Sequence, residues 1–218
     1  MLELTIDRPA RRALRILCLG AHSDDIEIGC GGTLLRLLSG GSRTDVTWVA
    51  FSAGTERARE FRASGRRFLR HATRSQLLTY EFRDSFFPAQ YLAIKETFAT
   101  IRNALDPDVV FTHHGADLHQ DHRIVSELTW TAFRRHLILE YEVPKYDGGL
   151  LPPNAYVRLD RSQVESKVRT LMSCYKSQVG KAWFTEETFR GLMRLRGVES
   201  ASAGGWAEGF HARKLCIG

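Results

Sequence analysis

Three features of the chain predict an α/β fold built on a mostly parallel sheet. Short apolar runs alternate with stretches of helical spacing from Leu14 to His136, which implies right-handed crossovers and a sheet covered on both faces. Two of the runs empty into loops dense in histidine and aspartate, at the strand edge where open α/β sheets bind ligands. No linker, repeat or low-complexity segment divides the 218 residues. That length supports one substantial core, so residues 1–218 read as a single domain with a C-terminal cap region.

Leu14-Arg15-Ile16-Leu17-Cys18-Leu19, ending at Gly20, is the expected first strand. The polar turn Ala21-His22-Ser23-Asp24-Asp25 follows, then Gly29-Cys30-Gly31-Gly32, and Thr33 to Leu38 reads as helix. Asp45 to Phe51 is the second strand. Between Thr55 and Thr73, Arg59, Arg62, Arg66 and Arg70 recur at helical spacing opposite Ala58, Phe61, Phe68, Leu69 and Ala72, which predicts a helix with a solvated arginine face. Gln76 to Phe82 is the third strand. Tyr91, Ile94, Phe98, Ile101 and Leu105 line one side of a helix that Asp106-Pro107-Asp108 stops. Val109 to Thr112 is the fourth strand; after His113 to His122, helical spacing runs from Asp121 to His136. Further on, Leu137 to Glu142 and Asn154 to Arg158 read as strands around a loop rich in proline and glycine, and Ser162 to Tyr175 and Glu186 to Leu195 as helices. Ala207-Glu208-Gly209-Phe210 is assigned to no element.

The net charge is +6, yet no nucleic-acid motif accompanies the arginines, so no nucleic-acid partner is expected. The apolar run Ile16 to Leu19, preceded by Arg11, Arg12 and Arg15, supports neither a signal peptide nor a membrane span, and a cytoplasmic location is expected. Cys18, Cys30, Cys174 and Cys216 show no paired spacing and are expected to be reduced thiols.

The chemistry lies in the two polar loops. A catalytic metal of the zinc type takes about three nitrogen or oxygen ligands from the protein and keeps a position for water. His22 and Asp25, three residues apart across a turn, could hold one ion together with His122, leaving Asp24 free beside the water to take its proton. The same ligand types accept Fe2+, Mn2+ or Co2+ as well as Zn2+. Taken alone, His22 and Asp25 would be read as a turn and a helix cap, and Asp117 and Asp121 likewise as caps. The coincidence of both clusters at strand ends favours a site. A dinucleotide fingerprint is excluded, because Gly29-Cys30-Gly31-Gly32 has the wrong spacing and Asp24 and Asp25 would repel a pyrophosphate.

These residues resemble the motifs of the PIG-L or LmbE-like zinc-dependent N-deacetylases. The first family motif, Ala-His-Pro-Asp-Asp followed by a glycine pair, is matched by Ala21, His22, Asp24, Asp25, Gly31 and Gly32, with Ser23 in the proline position. The second is matched by His114, Asp117, His119, Asp121 and His122, and an Ala-Glu-x-Phe pattern by Ala207, Glu208 and Phe210. The resemblance implies a Rossmann-like hydrolase that removes acetyl from an N-acetylamino sugar or its conjugate. It implies that His22, Asp25 and His122 hold Zn2+, that Asp24 serves as base and then acid, and that His119 helps bind the oxyanion. Asp121 is expected to orient a neighbouring imidazole.

Thr55, Glu56, Arg57, Arg83 and Asp84 follow the second and third strands at the same sheet edge and are expected to contact substrate. Because an arginine fork pairs well with phosphate, Arg57 and Arg83 suggest an anionic sugar conjugate. Two other classes remain open on the residues alone. One is a phosphoester hydrolase, with Asp24 and His119 serving a second ion; the other is a catalytically inactive sugar- or nucleic-acid-binding protein.

Overall fold

The computed structural model describes residues 3–6, 12–41 and 43–216. Its centre is a seven-stranded sheet of order β3-β2-β1-β4-β5-β7-β6, made of β1 (Leu14–His22), β2 (Thr44–Ser52), β3 (Arg74–Thr79), β4 (Val109–His113), β5 (Leu137–Tyr141), β6 (Ala155–Leu159) and β7 (Trp206–His211). The first five strands are parallel, and β7 runs antiparallel to both β5 and β6. Alternation along β1 divides the core. Leu14, Ile16 and Cys18 face one apolar layer and Leu17, Leu19 and Ala21 the other. Helices α1 (Asp25–Ser39), α2 (Thr55–Phe68) and α5 (Arg161–Cys174) pack together on the first side, and α3 (Tyr91–Ala104) and α4 (Gln120–Ala132) on the second. Helix α6 (Glu186–Glu199) packs chiefly on β7.

Two expectations change. The glycine run lies inside α1 rather than before it, and packing explains why glycine is tolerated there. A Cβ on Gly29 would meet the Tyr141 ring at 2.1 Å, and one on Gly32 would meet Leu159 at 2.5 Å. The helix needs these bare positions to lie close against β5 and β6. Ala207 to Phe210 belongs to a strand, β7, which is inserted between β5 and β6, so the C-terminal region extends the sheet as well as capping it.

That insertion also anchors α1. Glu208 on β7 accepts the backbone N–H groups of Gly32 (2.8 Å) and Thr33 (2.7 Å) and the Thr33 hydroxyl (2.6 Å). Lys167 of α5 closes the arrangement, donating to Glu208 and to the Ile28 carbonyl, each at 2.6 Å. Both charged side chains are almost wholly buried. Smaller differences concern ends. Strand β3 stops at Thr79, although the Tyr80 and Phe82 N–H groups still bond to the Ala50 and Phe51 carbonyls, and α4 stops at Ala132 instead of His136. The arginine face of α2 is exposed, opposite the buried Ala58 and Phe61. Cys18, Cys30, Cys174 and Cys216 are free thiols. No described helix is long and apolar enough to cross a membrane.

Candidate metal centre

Parallel pairing of β1 with β4 puts their carboxyl ends side by side, and the two polar loops meet there. His22 is the last residue of β1, Asp24 the N-cap of α1 and Asp25 its first residue. His119 is the N-cap of α4, with Asp121 and His122 in the first turn. Residues a hundred positions apart thus come into contact: His22 Nδ1 lies 3.2 Å from His122 Nε2. Asp25 completes a triangle, Oδ2 at 3.3 Å from His22 Nδ1 and Oδ1 at 3.5 Å from His122 Nε2. A tetrahedral divalent ion with bonds of about 2.0–2.1 Å spaces its donors about 3.3 Å apart, close to each of these three separations, with Asp25 turning a different oxygen to each ring.

Each corner of the triangle is held from behind. Asp117 Oδ2 receives His122 Nδ1–H at 3.0 Å, leaving the Nε2 lone pair directed at the other two donors. Burial, helped by the neighbouring His113, lowers the His122 pKa to about 3, so the ring is neutral. Asp117 is itself fixed by Lys145 Nζ (2.6 Å) and accepts the His119 N–H (2.8 Å). Asp25 resists the desolvation of its buried carboxylate because His122, His113 and His22 surround it, and its pKa falls well below the ordinary value. His22 is pulled the other way: burial opposes its charge, but Asp25, Asp121 and Asp84 outweigh burial and raise its pKa. His113, fully buried, offers no free Nε2 lone pair, since Nε2 accepts the Ala21 N–H at 2.9 Å.

Asp24 differs from Asp25 in its partners. Its Oδ1 accepts from Arg57 at 2.7 Å, while Oδ2 is buried with no hydrogen-bond partner. Burial raises its pKa despite the Arg57 charge, which suits a group that takes and returns a proton. Arg57 is fixed in turn by Glu60 (3.0 Å) and Ser177 (3.2 Å). Beneath the turn, the Tyr175 hydroxyl lies against the Ser23 carbonyl and Glu27, whose burial pushes its carboxyl up to about 8.

The remaining expected residues divide. Asp121 lies 3.3 Å from His22 Nε2, which identifies His22 as the imidazole beside it, and its two oxygens also hold the Ser85 (2.7 Å) and Phe87 (3.1 Å) N–H groups. His119 Nδ1 accepts the Asp121 N–H at 3.3 Å, so the neutral ring carries its proton on Nε2 as a donor. Asp84 Oδ1 reaches His22 Nε2 at 3.1 Å. Arg57 turns inward to Asp24 instead of standing open at the rim. Arg83 is exposed, its guanidinium 3.6 Å above the Phe86 ring. Thr55 and Glu56 open α2 on the surface, away from these contacts. Lys145, Glu60, Tyr175 and Ser177 were not anticipated. The contacts that tie them to the site are mostly long-range: Lys145 to Asp117, Ser177 to Glu60 and Tyr175 to Ser23 span 28, 117 and 152 residues.

Residues 17–133, which contain both loops, match the family model described as PIG-L: GlcNAc-PI de-N-acetylase. The chain is 31% identical over 154 residues to the uncharacterized deacetylase YaiS of Escherichia coli (strain K12), a match covering 66% of this chain and 82% of YaiS. Among solved structures, N,N'-diacetylchitobiose deacetylase of Pyrococcus horikoshii is similar with a TM-score of 0.65 at 19% identity, covering 94% of this chain and 85% of that one. So is GalB, the 4-carboxy-2-hydroxymuconate hydratase of Pseudomonas putida KT2440, with a TM-score of 0.70 at 15% identity and coverage of 94% and 98%. Structural likeness at such identity establishes the fold alone, and the shared fold evidently serves more than one reaction. The family model carries further, because it matches residues 17–133, more than half of the chain and both polar loops: this chain belongs to the PIG-L family of de-N-acetylases.

Proposed function

We propose that the protein is a zinc-dependent hydrolase that removes the N-acetyl group from an N-acetylamino sugar or its conjugate. The observation that carries this reading is the His22–Asp25–His122 triangle flanked by the unpartnered Oδ2 of Asp24. A divalent ion held by the three would supply an acidified water and polarise the amide carbonyl. Asp24, steadied through Oδ1 by Arg57, takes the water's proton on Oδ2 and returns it to the departing amine. His119 donates Nε2–H to the oxygen that gains charge as the carbonyl carbon becomes tetrahedral. Asp117 and Asp121 keep the His122 and His22 rings in the tautomers that the ion needs. The same donors would accept Fe2+, Mn2+ or Co2+.

Arg57 spends its fork on Asp24 and Glu60, so the expected preference for an anionic conjugate passes to Arg83. The phosphoester alternative loses support for the same reason, since Asp24 is paired with Arg57 and not open to a second ion. The deciding experiment compares parent and Asp24→Asn proteins, both loaded with Zn2+, for acetate release from N-acetyl sugars and their nucleotide or phosphate conjugates. The parent should release acetate, and Asp24→Asn should retain the metal but lose about 10²–10⁴ in turnover. No release from any substrate, or parental turnover in Asp24→Asn, overturns the proposal.

A further inference from the structure

Helix α2 carries a row of arginines that the metal centre leaves unused. Arg59, Arg62, Arg66 and Arg67 stand exposed on it and Arg70 just beyond its end, whereas Ala58 and Phe61 are buried. Among the described residues the ion pairs of α2 are those of Arg57, with Asp24 and Glu60. Where the exposed arginines do bond, they meet uncharged groups: Arg62 donates to the Thr79 hydroxyl at 2.9 Å, Arg67 to the Ser173 hydroxyl at 2.6 Å and Arg70 to His71 at 2.9 Å. Of the two carboxylates on the helix, Glu60 is buried against Arg57 and Ser177, and Glu56 lies in the first turn, ahead of the row. A chain with a net charge of +6 therefore carries most of its excess on this side.

Stability does not account for the row. Like charges three and four positions apart repel along a helix, as Arg59, Arg62 and Arg66 do. The helix dipole favours cations only in the last turn, which covers Arg66 and Arg67 but neither Arg59 nor Arg62. A ligand that neutralises the row would relieve that repulsion.

We infer that the arginine row of α2 holds the acidic remainder of an extended substrate, so that the N-acetylamino sugar reaching the metal centre is one unit of an anionic polysaccharide. This rests on the proposed function for the chemistry at the centre and names the kind of chain that presents the sugar. Position is the first argument: α2 starts just past the carboxyl end of β2, Arg57 in its first turn bonds to Asp24, and the row begins at Arg59. From Arg59 to Arg66 the helix rises about 10 Å at about 1.5 Å per residue, so one small anion does not span the row but a chain with repeating charges does. Side-chain type is the second argument. The segment from Thr55 to Tyr80 contains arginine and no lysine, and the guanidinium fork pairs with the two oxygens of a carboxylate or sulfate. Other polyanions fit less well, because no large apolar side chain is exposed between Thr55 and Tyr80 to enter a membrane and no aromatic ring is exposed there to stack on bases.

The test is isothermal titration calorimetry of the zinc-loaded protein with hyaluronan hexasaccharide, whose glucuronate units alternate with N-acetylglucosamine, and with neutral chitohexaose. Hyaluronan should bind about tenfold more tightly at low ionic strength, and added salt should narrow the difference. Arg59→Gln combined with Arg66→Gln should weaken hyaluronan about fivefold, as the loss of two exposed ion pairs would, and leave chitohexaose unchanged. Arg134→Gln combined with Arg135→Gln removes the same charge beyond the end of α4, on the other side of the sheet, and should leave both affinities unchanged. Turnover of hyaluronan by the α2 variant should show a raised KM and an unchanged kcat, because the lost contacts lie away from the reacting bond. Equal affinity for the two glycans, or equal losses in both variants, overturns the row as a substrate contact. Tighter binding of a duplex DNA of the same charge, or of phosphatidylserine vesicles, overturns the polysaccharide. A preference for hyaluronan in a protein that releases acetate from no N-acetyl sugar upholds the row as a polyanion contact and overturns the deacetylase reading.

Discussion

Replacing Lys167 by methionine tests whether the buried pair beneath α1 matters as the geometry suggests. Methionine keeps most of the side-chain volume and removes the charge. Glu208 would then remain nearly inaccessible, 3% exposed, without its cation. Breaking a buried pair from one side costs about 3–5 kcal/mol. Here the carboxylate keeps three neutral donors, from Gly32 N–H, Thr33 N–H and the Thr33 hydroxyl, so the lower end, about 3 kcal/mol, is expected. For a chain of this size that corresponds to a melting temperature lower by about 6–12 °C. Urea denaturation followed by circular dichroism reads the difference directly. Adding Glu208→Gln to Lys167→Met removes the stranded charge and should recover part of the loss. A single variant within about 1 kcal/mol of the parent, or a double variant worse than the single one, would refute the reasoning.

Further outcomes can be checked independently. Asp117→Asn should weaken Zn2+ binding about 10- to 100-fold, measured by competition with a chromogenic chelator, because His122 Nδ1 loses its carboxylate acceptor. Gly29→Ala should destabilise the protein by about 1–3 kcal/mol in chemical denaturation, since the new methyl group meets the Tyr141 ring. Burial and the nearby His114 and Arg196 charges lower the His211 pKa to about 4. Above about pH 6.5 the ring is neutral in both folded and unfolded chains, and its contribution is fully present. As the pH falls toward 4 the unfolded chain takes up a proton that the folded one refuses. Melting temperature should therefore decline across that window, by an amount worth about 1–2 kcal/mol after allowance for partial exposure, and less steeply in His211→Asn.

The first five strands, their parallel sheet and the grouping of His22, Asp25 and His122 could be read in advance because their signals are local. Each strand is an apolar run bounded by polar turns, and each candidate ligand lies in a cluster too dense for an ordinary loop. What escaped depends on distant partners. Trp206 to His211 is short and carries glycine at position 209, which weakens a strand signal; pairing with both β5 and β6 makes it a strand. The glycines at positions 29, 31 and 32 look like a turn until the rings of Tyr141 and Phe68 and the Leu159 side chain are placed against them. Arg57 looked like a substrate contact because nothing in the sequence predicts that Asp24, Glu60 and Ser177 surround it. Glu56 and Arg57 are neighbours with opposite fates, one on the surface and one against the candidate base.

The position of β7 has a consequence for the growing polypeptide. A ribosome delivers β1 to β5 in order, and each can dock beside a strand already made. β6 emerges next and finds no neighbour, because the strand that must separate it from β5 has yet to be synthesised. Until Trp206–His211 arrives, β5 presents a bare edge and β6 is unpaired, and α1 lacks the carboxylate that grips Gly32 and Thr33. The turn carrying Asp24 and Asp25 is thus made well before the strand that secures its helix, so nascent chains halted short of β7 are expected to expose a sheet edge open to pairing with other chains.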